Sequence, residues 1–115
     1  MKPIDEEKAI ECLGGEAVFQ MAASHFLVEI DQMMQTLSEA VAQGDPQTIS
    51  EKAHWVKGGL VYLHAGPSAE AAKNLQKAAP LGQTEIEAAY LALQGEVARL
   101  KEALKHLSSE SATTS

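Results

Sequence analysis

Apolar residues return every three or four positions along most of the chain, the period of helices that bury one face. The clearest stripe is Phe19, Ala22, Phe26, Ile30, Met33, Leu37 and Val41, which predicts a helix from about Glu16 to Ala42. A second stripe, Ile49, Ala53, Val56, Leu60 and Leu63, follows Gly44-Asp45-Pro46. There Asp45 is placed as an N-cap, and Pro46 at the first helical position loses no hydrogen bond by lacking an N–H. Ala65-Gly66-Pro67 then breaks the chain, and Pro67 opens a further helix that ends before Pro80. The last stripe is Ile86, Ala89, Leu93, Val97, Leu100 and Leu104, introduced by Thr84-Glu85-Ile86-Glu87. In this capping-box pattern Thr84 and Glu87 can satisfy each other's free backbone donors. Upstream, Asp5 caps a short helix that runs to about Leu13, where Gly14-Gly15 stops it. One short and four long amphipathic helices with brief connections predict an all-α fold, an antiparallel four-helix bundle with a short additional N-terminal helix.

Composition narrows the picture. The chain of 115 residues is the size of one domain, assigned to residues 1–107, and only 4% of it is aromatic, which favours helix over strand. The Ser/Thr-rich end, 108–115, lacks apolar anchors and is expected to be a disordered tail. A net charge of −7 gives no basic field for nucleic acid or an anionic membrane. No apolar run approaches the ~20 residues of a membrane span, so no membrane insertion is expected. The lone Cys12 has no partner for an internal disulfide and fits a reducing, cytoplasmic setting as a small hydrophobe near a helix end.

Candidate chemistry is concentrated in Ala53-His54-Trp55-Val56-Lys57-Gly58-Gly59. At i+3 and i+4 from His54, Lys57 and Gly58 share its face of the helix, offset from the core stripe. An imidazole there sits beside a fixed positive charge and over a position with no side chain to obstruct a partner. Neutral imidazole has a nucleophilic nitrogen lone pair near physiological pH and needs no neighbouring base. Lys57 supplies electrostatic support for phosphoryl oxygens, and Gly58 steric access. Because a helix-interior glycine costs about 1 kcal/mol against alanine, Gly58-Gly59 demands a compensating reason. Partner approach over Gly58 and helix packing against Gly59 provide one; a kink or an early helix end is the simpler alternative.

This A-H-x-[hydrophobic]-K-G stretch resembles the histidine-containing phosphotransfer (HPt) domains of multistep two-component phosphorelays. Leu13-Gly14-Gly15-Glu16 with Phe26, and Ala42-Gln43-Gly44-Asp45, extend the resemblance over about residues 5–106. It implies that His54 accepts a phosphoryl group on Nε2 from a receiver-domain aspartate and passes it to another receiver. The chain would then be a phosphohistidine carrier without kinase activity of its own. Implied partners are response-regulator receiver domains and a hybrid sensor kinase, with Mg²⁺ in the receiver, no cofactor or metal in this chain, and a monomeric state.

Trp55 reads as a core-edge anchor paired with Tyr62, Val61 as part of a receiver-binding patch, and Phe26 as core. Two positions depart from the family pattern. His64 stands ten residues after His54, where a second glycine is usual, and Ser68 stands where a leucine is usual. His64 reads as a helix-terminal histidine favoured by the C-terminal dipole, and His25 and His106 as ordinary helical residues. Glu51-Lys52-Ala53-His54 is also a Glu-x-x-His motif of bundle metal sites, but such sites need a second copy and further inward glutamates. The main alternative is an adaptor that binds receivers without carrying phosphate.

Overall fold

Left-handed glycines and well-placed prolines set most of the helix boundaries. The structure, a computed structural model, describes the backbone of residues 2–114 and the side chains of residues 2–106. Five helices and no strand occur among the described residues: α1 (Glu6–Leu13), α2 (Glu16–Gln43), α3 (Pro46–Tyr62), α4 (Gly66–Ala78) and α5 (Gln83–Thr114). The tail expected at 108–115 lies outside the described side chains. Gly14 and Gly44, at φ 95° and 75°, reverse the chain after α1 and α2 in a conformation that a Cβ would strain. Helices α2 to α5 pack in sequence, and α5 closes back on α2, which completes the expected bundle. Asp31 of α2 and Lys101 of α5 add an ion pair at 2.6 Å across that closing contact.

The apolar stripes meet in one core. Phe19, Ile30, Leu37, Ile49, Leu60, Leu75, Leu93 and Leu100 are essentially inaccessible, and burying each such side chain contributes about 1.5–3 kcal/mol. In α2 the buried small residues are Ala23 and Ala40, with Ala22 only partly covered. The buried line Phe19, Ala23, Phe26, Ile30, Met33, Leu37 and Ala40 alternates spacings of four and three, so the step from Phe19 passes over Ala22. Helix α4 is narrow: Ser68, Ala71, Ala72 and Ala78 are buried along it, and α3 packs more closely along α4 than along α2.

Several helix ends differ from their expected chemistry. The capping box at Thr84 does not form, because α5 already begins at Gln83. Gly82, at φ 126°, takes the position before the helix, and its carbonyl accepts the Ile86 N–H at 3.0 Å. Glu87 instead accepts from Gln83 Nε2 at 3.1 Å. Asp45 precedes α3 as expected, but its carboxylate accepts the Thr48 hydroxyl at 2.6 Å and caps no backbone N–H. Asp5 does cap α1, accepting from the Lys8 N–H at 3.2 Å.

Helix α3 ends at Tyr62, with the buried Leu63 just outside it. His64 follows at φ 56°, among the described residues the one non-glycine in the left-handed region. Its N–H donates to the Val61 carbonyl and the Ala65 N–H to the Leu60 carbonyl, both at 3.0 Å. These are the paired bonds of a Schellman turn, where glycine is the usual occupant. The Asp5 N–H donates to the His64 carbonyl at 3.0 Å, which ties the chain before α1 to the α3–α4 junction. The departure from the family pattern at His64 therefore falls where the backbone asks for glycine.

Candidate functional site

Helix α3 continues through Gly58 and Gly59, so neither a kink nor an early end explains the pair. The two glycines face different surroundings. A Cβ built on Gly58 would meet nothing within 4 Å, whereas one on Gly59 would lie 3.6 Å from Met33 Cε and 4.0 Å from Phe26 Cε2. Gly59 thus faces α2, and Gly58 faces outward.

On the outward side His54 is exposed, and its ring has no partner among the described residues. Lys57 is half-buried and makes no ion pair among them, so its ammonium is not committed to a carboxylate. At i+3 its Cβ stands about 5–6 Å from that of His54. Val61 extends the same side of the helix and is 53% exposed. The structure therefore brings together all three sequence-predicted site residues, His54, Lys57 and Gly58, on one accessible face.

Beside this face an open groove of about 1100 Å³ runs between α2 and α3, with Met21, Phe26 and Met33 on one wall and Trp55, Gly58 and Tyr62 on the other. Trp55 is not the core anchor the sequence suggested. It is 48% exposed on the groove wall, with the Lys52 ammonium 6.0 Å from its ring centroid. Tyr62 is more exposed still. Phe26 is buried as expected and forms the groove floor with Met33.

The α2 wall was the part that sequence reasoning missed. Val18 and Met21 are exposed on it, and His25 and Glu29 line the groove with His25 Nε2 3.2 Å from Glu29 Oε1. The usable signal was a second line beside the core stripe, since Val18, Met21, His25 and Glu29 recur at spacings of three and four.

The remaining candidates lie apart from this face. His64 and His106 border a separate cavity beneath the segment 2–7. Glu51 accepts from Gln47 Nε2 at 3.3 Å, and no group of three or more His, Cys, Asp or Glu among the described residues is placed to hold a metal ion. No described helix is long and apolar enough to cross a membrane.

With this geometry, the comparison with protein families is decisive. The family model described as "Hpt domain" matches residues 22–110, which spans most of α2, all of α3 and α4, and α5 as far as residue 110. The chain belongs to the Hpt family. No curated protein and no solved structure matches it. As an Hpt domain it is a histidine phosphotransfer carrier of phosphorelays, a class that interacts with receiver domains. The match leaves α1 and the first residues of α2 outside.

Proposed function

We propose that His54 is the phosphoacceptor, taking a phosphoryl group from a receiver-domain aspartate and delivering it to the aspartate of a second receiver. The observation that supports this most strongly is the coincidence on one α3 face of an exposed, unpartnered imidazole, an uncommitted Lys57 and an open Gly58. In the forward step the Nε2 lone pair attacks phosphorus, the bond from phosphorus to the aspartyl oxygen breaks, and the carboxylate leaves with the electron pair. The ring then carries the positive charge and keeps its Nδ1 proton. Lys57 attracts the equatorial phosphoryl oxygens without covering the nitrogen. Mg²⁺ belongs to the receiver in this reading, and it shields the phosphoryl charge there. The protein works as a cytoplasmic monomer between a hybrid sensor kinase and a response regulator.

The test is transfer from a receiver phosphorylated with acetyl phosphate. Wild type should acquire acid-labile, base-resistant label, the behaviour of a phosphoramidate, and ATP alone should give none. His54→Gln should acquire no label and change stability by less than about 1 kcal/mol, as for an exposed position. Label retained in folded His54→Gln would place the nucleophile elsewhere. A wild type that binds receivers and takes no label would be the adaptor instead.

A further inference from the structure

Among the residues that line the groove, Glu29 on α2 is the one carboxylate and there is no Lys or Arg; the cations near it stand outside the groove, on α3. Helix α3 contributes Lys57 beside His54 and Lys52 above the Trp55 ring. Helix α2 contains no Lys or Arg from Glu16 to Gln43. Of its carboxylates, Asp31 is held by Lys101, while Glu29 lines the groove and has only His25 as partner. Both side chains of that pair are more than half exposed. An apolar floor thus lies between Glu29 on the α2 wall and the α3 side, where Lys52 and Lys57 stand near the histidine.

We propose that Glu29, with His25 beside it, is a specificity-determining element for the receiver: it selects receivers whose docking surface carries Lys or Arg on the flank that lies against α2. The occupant of the groove is the receiver domain, so the inference rests on the phosphorelay reading above. Its apolar ridge covers Met21 and Trp55. Its acidic phosphoaspartate pocket meets the α3 side, and a basic flank meets Glu29. Charges at the rim of an interface discriminate between partners mainly by penalising like charge and by changing the association rate. Glu29 stands outside the reacting atoms, so its effect belongs in KM and not in kcat.

The experiment compares two receiver domains, one with a basic and one with an acidic flank beside its aspartate, each phosphorylated with acetyl phosphate. Wild type should favour the basic-flanked receiver in kcat/KM. Glu29→Lys should lower transfer from it by roughly fivefold at low salt, through KM, and raise transfer from the acidic-flanked one. Glu29→Gln should fall between, and the differences should shrink as salt screens the rim. Reversing the receiver's basic residue to Glu should restore transfer to Glu29→Lys. Labelling by phosphoramidate, which needs no docking surface, should be equal in all variants. Unchanged receiver preference in Glu29→Lys, with wild type accepting phosphate normally, would overturn the selectivity role alone. A wild type that accepts phosphate from neither receiver would overturn both this role and the relay reading.

Discussion

Helix α3 is flanked in two opposite ways. Towards α4 it is closed: Ala71, Ala72 and Ser68 let the helices approach, and the side chains between them are inaccessible. Towards α2 it is open: large side chains, Trp55, Tyr62 and Met21, stand exposed around a groove that the bundle does not fill. Both flanks belong to one helix of 17 residues, so helix propensity does not account for the difference. Apolar surface left in water forgoes about 25 cal/mol per Å² of burial, and that gain becomes available only when another surface covers the groove. The α4 flank holds the fold together, and the α2 flank is shaped for a partner.

The strongest way to break this contrast is to enlarge the two adjacent glycines. Gly58→Gln should leave the bundle folded and slow transfer from a phosphorylated receiver by roughly tenfold or more, because a misplaced partner loses in-line geometry. Labelling by phosphoramidate should hardly change. Gly59→Leu should act in the other sense and destabilise the protein by about 1–3 kcal/mol in urea unfolding, as its side chain is forced against Met33 and Phe26. Alanine at either site should be tolerated, with a gain of up to ~1 kcal/mol from helix propensity. A methyl on Gly58 meets open space, and one on Gly59 meets Met33 at an ordinary 3.6 Å. Equal receiver transfer rates in Gly58→Gln and wild type would show that the open position does not serve docking.

The sequence made the site itself legible better than its surroundings. His54, Lys57 and Gly58 occupy one face by helix geometry alone, and Pro46, Pro67 and Gly44 sit at the helix ends where backbone chemistry puts them. The groove was not legible, because it depends on how far α2 stands from α3, a distance set by Phe26, Met33 and Gly59 together and by no local pattern. Trp55 illustrates the consequence: an aromatic near a core stripe reads as an anchor until the spacing of the neighbouring helix is known. The Thr84 capping box failed for a different reason. Gly82 can adopt φ 126° and start the helix earlier, and no motif ranks that freedom against a side-chain cap.

On the closed flank the sharpest probe is His64, whose left-handed backbone costs an L-residue with a Cβ roughly 1–2 kcal/mol. His64→Gly should stabilise the fold by about 1 kcal/mol, part of the relief being offset by the greater freedom of glycine in the unfolded chain. Its backbone bonds to Val61 and Asp5 need no side chain and should persist. Receiver-dependent labelling should stay at the wild-type level, since His64 lies outside the α2–α3 groove. A loss of label in this variant would make His64 a second phosphorylation site and blur the division between the two flanks.

The smallest expected effect concerns Ser68, whose hydroxyl is fully buried and, among the described residues, has no hydrogen-bond partner. A buried polar group left unpaired forfeits its hydration, typically about 1–3 kcal/mol, which its replacement by a methyl recovers in part. Ser68→Ala removes the hydroxyl with almost no change in volume, and alanine is the better helix former. The variant should therefore unfold at higher urea concentration, by about 1 kcal/mol in stability, with the same dependence on denaturant and unchanged phosphotransfer. The alternative for such a hydroxyl is to bond the carbonyl one turn back, here that of His64, whose oxygen already accepts the Asp5 N–H. Destabilisation in Ser68→Ala would reveal that shared acceptor in solution and would make the α3–α4 junction a polar lock. Stabilisation would instead leave the closed flank as packing alone, with the departure from leucine at this position a cost in stability unconnected to the histidine on the open side.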